Sequence, residues 1–181
     1  MAHPMRYAEE TRSQQVFQAL LWALSYPGRR QALPNSDDPF VAIGATLIDL
    51  ETTFFTPDHD LARRLGFSGA RPAPISSAMY QFFPDLGKAD LETLAAAPTG
   101  SYTYPDTGAT LVLGCTFDSG TLLRLRGPGI PGTTEILVGG LPETFWDLRR
   151  EVIHYPLGWE VFLVAGNRVV GIPRSCVVEV L

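Results

Sequence analysis

The chain has 181 residues, of which 45% are hydrophobic and 18% are charged, and its formal net charge at pH 7 is −5. This composition is typical of one globular domain spanning residues 1–181. The acidic balance argues against nucleic acid or an anionic membrane as a partner, because both bind basic surfaces. No apolar run approaches the roughly 20 residues of a membrane span, and the N-terminus lacks the apolar region of a signal peptide, so we expect a cytoplasmic protein.

The first half of the chain reads as short helices and strands. We expect residues 1–10 to be frayed, and apolar residues at helical spacing predict an amphipathic helix over residues 13–24, ended by Tyr26-Pro27-Gly28. Its predicted apolar face consists of Val16, Phe17, Leu20, Leu21 and Leu24. The sequence further predicts a helix over 40–50 that begins at Asp37-Asp38-Pro39, a strand over 51–56, a short helix that Asp58 caps and that ends at Leu65, a strand over 75–83 and a helix over 90–97.

The second half contains the most informative stretch. Two apolar segments, 110–117 and 121–126, flank Asp118-Ser119-Gly120, which predicts a β-hairpin with a three-residue turn. Alternation along the second segment predicts that Leu123 and Leu125 face the core and that Arg124 and Arg126 face away from it.

Beyond this stretch, the pattern predicts a strand over 136–138 and a helix from Pro142. Leu141, Phe145, Leu148 and Val152 form the expected apolar face of that helix, with Arg149 and Arg150 outside it. Strands over 159–165 and 168–172 flank a Gly166-Asn167 turn, and 177–181 is an expected edge strand. Interspersed helices, strands and hairpins indicate a single α/β domain with a mixed β-sheet.

No residue pattern in the chain predicts a catalytic or metal-binding site. His3, His59 and His154 are far apart in sequence, and the two cysteines, Cys115 and Cys176, lie in apolar segments as expected of reduced, buried thiols. There is no phosphate loop and no Gly-x-Ser-x-Gly motif. Pyridoxal phosphate would need a Schiff-base lysine, and the only lysine, Lys88, lies in a polar segment that reads as a surface turn, so no cofactor is predicted.

Three residues are candidates for contacts with an anion or a partner protein. Arg124 and Arg126 would place two guanidinium groups on one face of a strand, and His154 could titrate near neutral pH. The simpler interpretation is that the two arginines pair with nearby acids and that His154 contacts carbonyls at the end of its helix. Arg29-Arg30, at a helix exit, is interpreted as a solvated pair rather than a phosphate site.

Five short motifs, in this order, resemble a known family. They are residues 14–28 with the Leu20-Leu21 pair and Pro27-Gly28, then Gly108-Ala-Thr-Leu111, Leu123-Arg-Leu-Arg-Gly-Pro-Gly-Ile130, Tyr155-Pro-Leu-Gly158 and Gly171-Ile-Pro-Arg174. They are similar to the landmarks of PhnH, the H subunit of the carbon–phosphorus lyase complex. Residues 33–101 match in layout more than in residue identity.

The resemblance implies a subunit of bacterial organophosphonate breakdown. With the G, I and L subunits, such a protein supports the transfer of a phosphonate to ribose C1′ of ATP with release of adenine. It also implies a sheet between helix layers, similar to the large domain of pyridoxal-phosphate-dependent transferases but without the cofactor. The implied partners are the G, I and J subunits, most directly I, and a second copy of the chain when isolated. The alternative is an independent small enzyme or binding module for a phosphorylated ligand that uses Arg124, Arg126 and His154.

Overall fold

The computed structural model describes the backbone of residues 4–181 and the side chains of residues 10–87 and 90–181. The helices are α1 (Pro4–Ser25), α2 (Pro39–Leu47), α3 (His59–Leu65), α4 (Lys88–Leu94) and α5 (Thr144–Val152). The strands are β1 (Gln31–Ala32), β2 (Thr53–Phe55), β3 (Arg71–Pro72), β4 (Tyr80–Phe83), β5 (Thr110–Gly114), β6 (Thr116–Arg126), β7 (Thr134–Gly139), β8 (Glu160–Ala165), β9 (Arg168–Ile172) and β10 (Val177–Val180). Residues 66–68 and 105–107 form 3₁₀ turns.

Ten strands form two sheets in the described part of the chain. The large sheet has the order β1-β9-β8-β5-β4-β2-β3, in which β3, β2, β4, β5 and β8 are mutually parallel and β9 runs antiparallel to both of its neighbours, β8 and β1. The small sheet, β10-β6-β7, is entirely antiparallel. The predicted α/β class, the mixed sheet, the Gly166-Asn167 turn and the edge strand near the C-terminus are therefore confirmed.

The two faces of the large sheet are covered differently. Helices α1, α2 and α3 pack on one face, around Phe54, Phe82 and Val112. The small sheet, α4 and α5 pack on the other face, around Leu111, Leu113 and Trp159. An antiparallel sheet thus occupies much of the layer that the resemblance assigned to helices.

The hairpin predicted over residues 110–126 is wrong. Strand β5 ends at Gly114, where an added Cβ would lie 1.9 Å from the carbonyl oxygen of Pro84, and the chain then passes into the small sheet. Asp118-Ser119-Gly120 lies inside β6 as a bulge opposite β7, with φ of 67° at Asp118 and 88° at Gly120. A bulge and a hairpin turn both need residues with positive φ, so the local sequence signal is the same for the two structures.

Helix α1 is longer than predicted and faces the core differently. It begins at Pro4, so fraying of residues 4–10 is contradicted, while residues 1–3 lie outside the described residues. Pro at the first helical position and helix-forming residues after it account for the extension. Val16 and Leu20 are buried as predicted, but Phe17 and Leu21 are 54% and 52% exposed. The contact with the sheet runs through the small residues Ala19 and Ala23 instead.

The predicted helix starts at Asp38 and Asp58 are confirmed, although several elements are shorter than predicted. The carboxylate of Asp38 accepts hydrogen bonds from the amides of Phe40 and Val41, and that of Asp58 accepts from Asp60 and Leu61. Helix α2 ends at Leu47, and the strand predicted over 75–83 covers only Tyr80–Phe83. Lys88 begins α4 rather than lying in a turn, and its side chain lies outside the described residues. No helix that the structure describes is both long enough and apolar enough to span a membrane.

Candidate functional site

The outer face of the small sheet carries the predicted arginine pair. Leu123 and Leu125 are fully buried, as predicted, and Arg124 and Arg126 point to the opposite side. Arg124 bridges to both neighbouring strands: its Nη2 lies 3.0 Å from Oε1 of Glu135 and its Nη1 lies 3.4 Å from Oε2 of Glu179. The guanidinium of Arg124 is therefore engaged by two carboxylates within the chain.

Arg126 has no ion pair among the residues that the structure describes. It is exposed and lines a shallow depression together with Arg124, Thr133, Val177 and Glu179. The carboxylate of Glu179 at this depression disfavours an anion. Contact of these two arginines with an anion or a partner stays a prediction.

His154 lies just past α5 and is exposed. Its Nδ1 is 3.4 Å from the carbonyl oxygen of Val152, the last residue of the helix, in line with the helix-end interpretation. Its backbone exchanges hydrogen bonds with Leu157. No contact within the described part of the chain joins His154 to Arg124 or Arg126, so the structure does not assemble the three into one site.

Arg29 and Arg30 are exposed, as predicted, and each also contacts another residue of the chain. Arg30 makes a two-pronged ion pair with Asp118, with N–O distances of 2.9 and 2.5 Å, and stacks 4.9 Å from the ring centroid of Phe117. The guanidinium of Arg30 lowers the pKa of the Asp118 carboxyl. Arg29 lies over the ring of Tyr26 at 5.2 Å. The ion pair of Arg30 and Asp118 therefore joins the segment that follows α1 to the bulge in β6.

The two cysteines are thiols that favour the protonated form. Burial raises the pKa of Cys115 to about 12 and also raises the pKa of Cys176. A nucleophilic cysteine needs a lowered pKa, so neither residue has the environment of an activated thiolate. In the described ranges, no group of three or more His, Cys, Asp or Glu side chains could hold a metal ion.

The sequence prediction missed a buried arginine on α5. Arg149, placed outside the apolar face by the prediction, is only 3% exposed. Its Nη2 donates to the carbonyl oxygens of Pro173 and Cys176, at 3.0 and 3.2 Å, which ties α5 to the segment before β10. Burial lowers its pKa to about 10, so it remains a cation at neutral pH. The missed signal is spacing, because Arg149 follows the fully buried Phe145 by four residues and shares its side of the helix.

Arg149 lines a cleft of about 230 Å³ between α5 and residues 174–178, which we call the arginine cleft. Arg150 and Arg174 also line it. Arg150 pairs with Asp147 at 2.5 Å, and Nε of Arg174 pairs with Oε1 of Glu160 at 3.0 Å. The residues that line the cleft are Trp146, Arg149, Arg150, Ile153, Tyr155, Arg174, Ser175, Cys176, Val177 and Val178.

A second unpredicted feature is the α1 outer face, which we define by Phe17, Leu21, Trp22 and Tyr26. All four side chains are more than a third exposed. The rings of Trp22 and Tyr26 stack with centroids 5.4 Å apart. Large apolar side chains that are exposed together on one helix indicate a surface that binds another protein, whereas exposed apolar residues scattered singly do not.

The landmark motifs are packing contacts between distant parts of the chain. An added Cβ at Gly129 would lie 2.1 Å from the carbonyl oxygen of Ser25, and one at Gly171 would lie 2.5 Å from the carbonyl carbon of Ala23. Similarly, the amide of Gly158 donates to Thr99, and an added Cβ at Gly108 would lie 2.3 Å from the oxygen of Gly158. These motifs hold α1, the small sheet and the large sheet together, which explains why they lie far apart in sequence.

Comparisons with known proteins identify the same family that these motifs resemble. The family model described as "Bacterial phosphonate metabolism protein (PhnH)" matches residues 6–179. The chain belongs to the PhnH family. It is also 34% identical over 177 residues to the "Putative C-P lyase subunit protein HtxG" of Stutzerimonas stutzeri, an alignment that covers 94% of this chain and 87% of that protein. The predicted family is therefore confirmed, and PhnH membership assigns the chain a role in phosphonate metabolism.

Proposed function

We propose that this chain is a subunit of a carbon–phosphorus lyase complex and has no activity of its own. The observation that carries the proposal is the PhnH family match over nearly the whole chain, supported by the relative that is named a C-P lyase subunit. In this proposal the chain supports, with the G, I and L subunits, the transfer of a phosphonate to ribose C1′ of ATP with release of adenine. The complex is cytoplasmic, and the proposed similarity of this fold to the large domain of pyridoxal-phosphate-dependent transferases does not extend to the cofactor.

The α1 outer face is the surface through which the chain would join its partners. Aromatic residues are enriched in the centres of protein interfaces, and few interface residues contribute most of the binding free energy. Phe17 and Leu21 form one flank of this face, and the stacked Trp22 and Tyr26 form the other. The proposed partners are the G, I and J subunits, most directly I, with a homodimer when the chain is isolated.

The test is assembly of the complex from purified subunits. Wild-type chain mixed with G, I and J should elute with them in gel filtration. The isolated chain should have about twice the 19.8 kDa mass of one copy by light scattering. Failure of the chain to co-elute with any of the three subunits would refute the proposed role.

A matched pair of variants locates the surface. Phe17→Glu with Leu21→Glu should weaken assembly at least about tenfold, because truncating a central interface residue costs more than about 1–2 kcal/mol. Phe67→Glu is the control, since Phe67 is 83% exposed but lies outside α1. Equal loss of assembly in both variants would show that the α1 outer face is not the docking surface.

A further inference from the structure

The arginine cleft has the size of a small-ligand site. Its volume, about 230 Å³, exceeds the space of one water molecule. It is smaller than the roughly 300–1,000 Å³ of pockets that enclose drug-sized ligands. A group of a few non-hydrogen atoms fits this space, whereas a whole nucleotide does not.

The side chains that line the arginine cleft give it a positive charge. Three of its ten lining residues are arginines and none is an aspartate or glutamate. The carboxylates that pair with two of these arginines, Asp147 and Glu160, are not lining residues. A ligand that enters the cleft therefore meets cations without a competing carboxylate on the wall.

Arg149, one of the lining residues, has a buried hydrogen-bond donor without a partner among the described residues. Burying a charge costs free energy unless the charge is paired and hydrogen-bonded. Nη2 of Arg149 is satisfied by two carbonyl oxygens, but its buried Nε has no partner among the described residues. Glu160, the carboxylate that favours the charged form of Arg149, already binds Arg174 through that residue's Nε and backbone amide.

We propose that the arginine cleft binds a tetrahedral phosphorus oxyanion, such as inorganic phosphate or the PO₃ group of an alkylphosphonate. Arg149 is the buried anchor, and Arg150 and Arg174 complete the site from the rim. Guanidinium groups match the oxygen spacing of phosphate, and hydrogen bonds between two charged groups are stronger than neutral ones. The hydroxyl of Ser175, another lining residue, is a further donor. The anion site follows from the residues of the cleft, whereas the choice of phosphonate as a ligand rests on the proposed function, so failure of complex assembly would leave anion binding untouched.

Calorimetry on the isolated chain tests the site, with inorganic phosphate and methylphosphonate as probes at fixed pH and ionic strength. Either anion should bind saturably with one site per chain and shift the Nε–H resonance of Arg149 in a nitrogen–proton NMR spectrum. Arg149→Lys keeps the charge but loses the fork, and should weaken binding about tenfold. Tighter binding of methylphosphonate indicates a phosphonate site, and tighter binding of phosphate indicates a free-phosphate site.

The matched controls are two exposed arginines that each pair with an aspartate three residues earlier on their helix. Arg150→Gln, in the cleft, should weaken binding about two- to fivefold, whereas Arg63→Gln, on α3, should not change it. This comparison decides the question even if Arg149→Lys fails to fold. Absence of saturable binding of both anions up to millimolar concentration would overturn the proposal, as would equal weakening by Arg150→Gln and Arg63→Gln.

Discussion

Helices α1 and α5 cover opposite faces of the large sheet and break the usual distribution of residues in opposite ways. Helix α1 buries Ala19 and Ala23 against the sheet and leaves Phe17 and Leu21 exposed. Helix α5 buries the cation Arg149 beside Phe145. Exposed apolar residues grouped together and buried polar residues are the informative exceptions in a globular protein. This difference is the basis of the two proposals, protein contact on the outside of α1 and anion binding on the inside of α5.

The largest expected effect separates the two sides of α1 with neighbouring leucines. Leu20 is 2% exposed and Leu21 is 52% exposed. Leu20→Ala should lower the free energy of unfolding by about 2–5 kcal/mol, because it removes buried methyl groups and leaves a cavity. Leu21→Ala should lower it by less than about 1 kcal/mol in urea denaturation of the isolated chain at protein concentrations low enough for the chain to be monomeric. Similar losses for both variants would mean that the outer side of α1 is covered in solution.

The matching experiment on α5 removes its buried cation. Arg149→Ala leaves the carbonyl oxygens of Pro173 and Cys176 without their donor, and an unsatisfied buried group costs about 1–3 kcal/mol. Removal of the buried charge also removes its desolvation cost, which offsets part of this penalty. We therefore expect the unfolding free energy to fall by about 2–4 kcal/mol. Arg150→Ala, one residue along and exposed, should change stability by no more than about 0.5 kcal/mol. An unchanged stability in Arg149→Ala would show that Arg149 does not hold the segment before β10.

The contact between α1 and the large sheet is tested next, at Gly171 in β9. An alanine Cβ at this position would lie 2.5 Å from the backbone carbon of Ala23, which cannot move aside like the tip of a side chain. Gly171→Ala should cost about 1–3 kcal/mol through overpacking. Gly66→Ala is the control: its Cβ would meet nothing within 4 Å and its φ is −58°. That variant should be neutral or slightly stabilising in thermal unfolding.

The elements that the sequence predicted well are those whose signals are local. The Asp38 and Asp58 caps and the Gly166-Asn167 turn each depend on a few adjacent residues, and all three are confirmed. The failed hairpin at residues 118–120 has the correct local signal, but the partner strand is set by distant packing at Gly114 and Pro84. The residues of a short segment determine where φ is positive, but they do not determine which strand pairs with that segment.

The candidate sites could be predicted only in part for the same reason. Arg124 and Arg126 were found from strand alternation, which gives the face but not the acids across it, Glu135 and Glu179. The burial of Arg149 could have been predicted from helical spacing, since Arg149 follows Phe145 by about one turn. The arginine cleft could not be predicted in this way, because residues 174–178 come from another part of the chain. The exposed side of α1 was hidden because apolar residues surround its second half, so hydrophobicity alone does not choose the buried side.

The smallest expected effect concerns Cys115, which connects β5 of the large sheet to β6 of the small one and lies near the guanidinium of Arg30. Burial raises its thiol pKa to about 12 from an unfolded value of 9.0, so the folded chain holds this proton more tightly between those two pH values. Its contribution to stability is therefore complete below pH 9.0 and falls as the pH rises toward about 12. One such group changes the unfolding free energy by at most about 1.4 kcal/mol per pH unit, and by less here because the thiol is partly exposed.

Urea midpoints at pH 8 and pH 10 measure this contribution. The urea midpoint of the wild-type chain should be lower at pH 10 than at pH 8, and Cys115→Ala should show a smaller fall between the two pH values. Cys176 and Tyr80, whose pKa values burial also raises, would supply the fall that remains in the variant. An equal fall in wild type and Cys115→Ala would mean that the thiol ionises as freely in the folded chain as in the unfolded one. Water would then reach Cys115, the residue that connects the two sheets, and the close packing of this connection would end at Gly114.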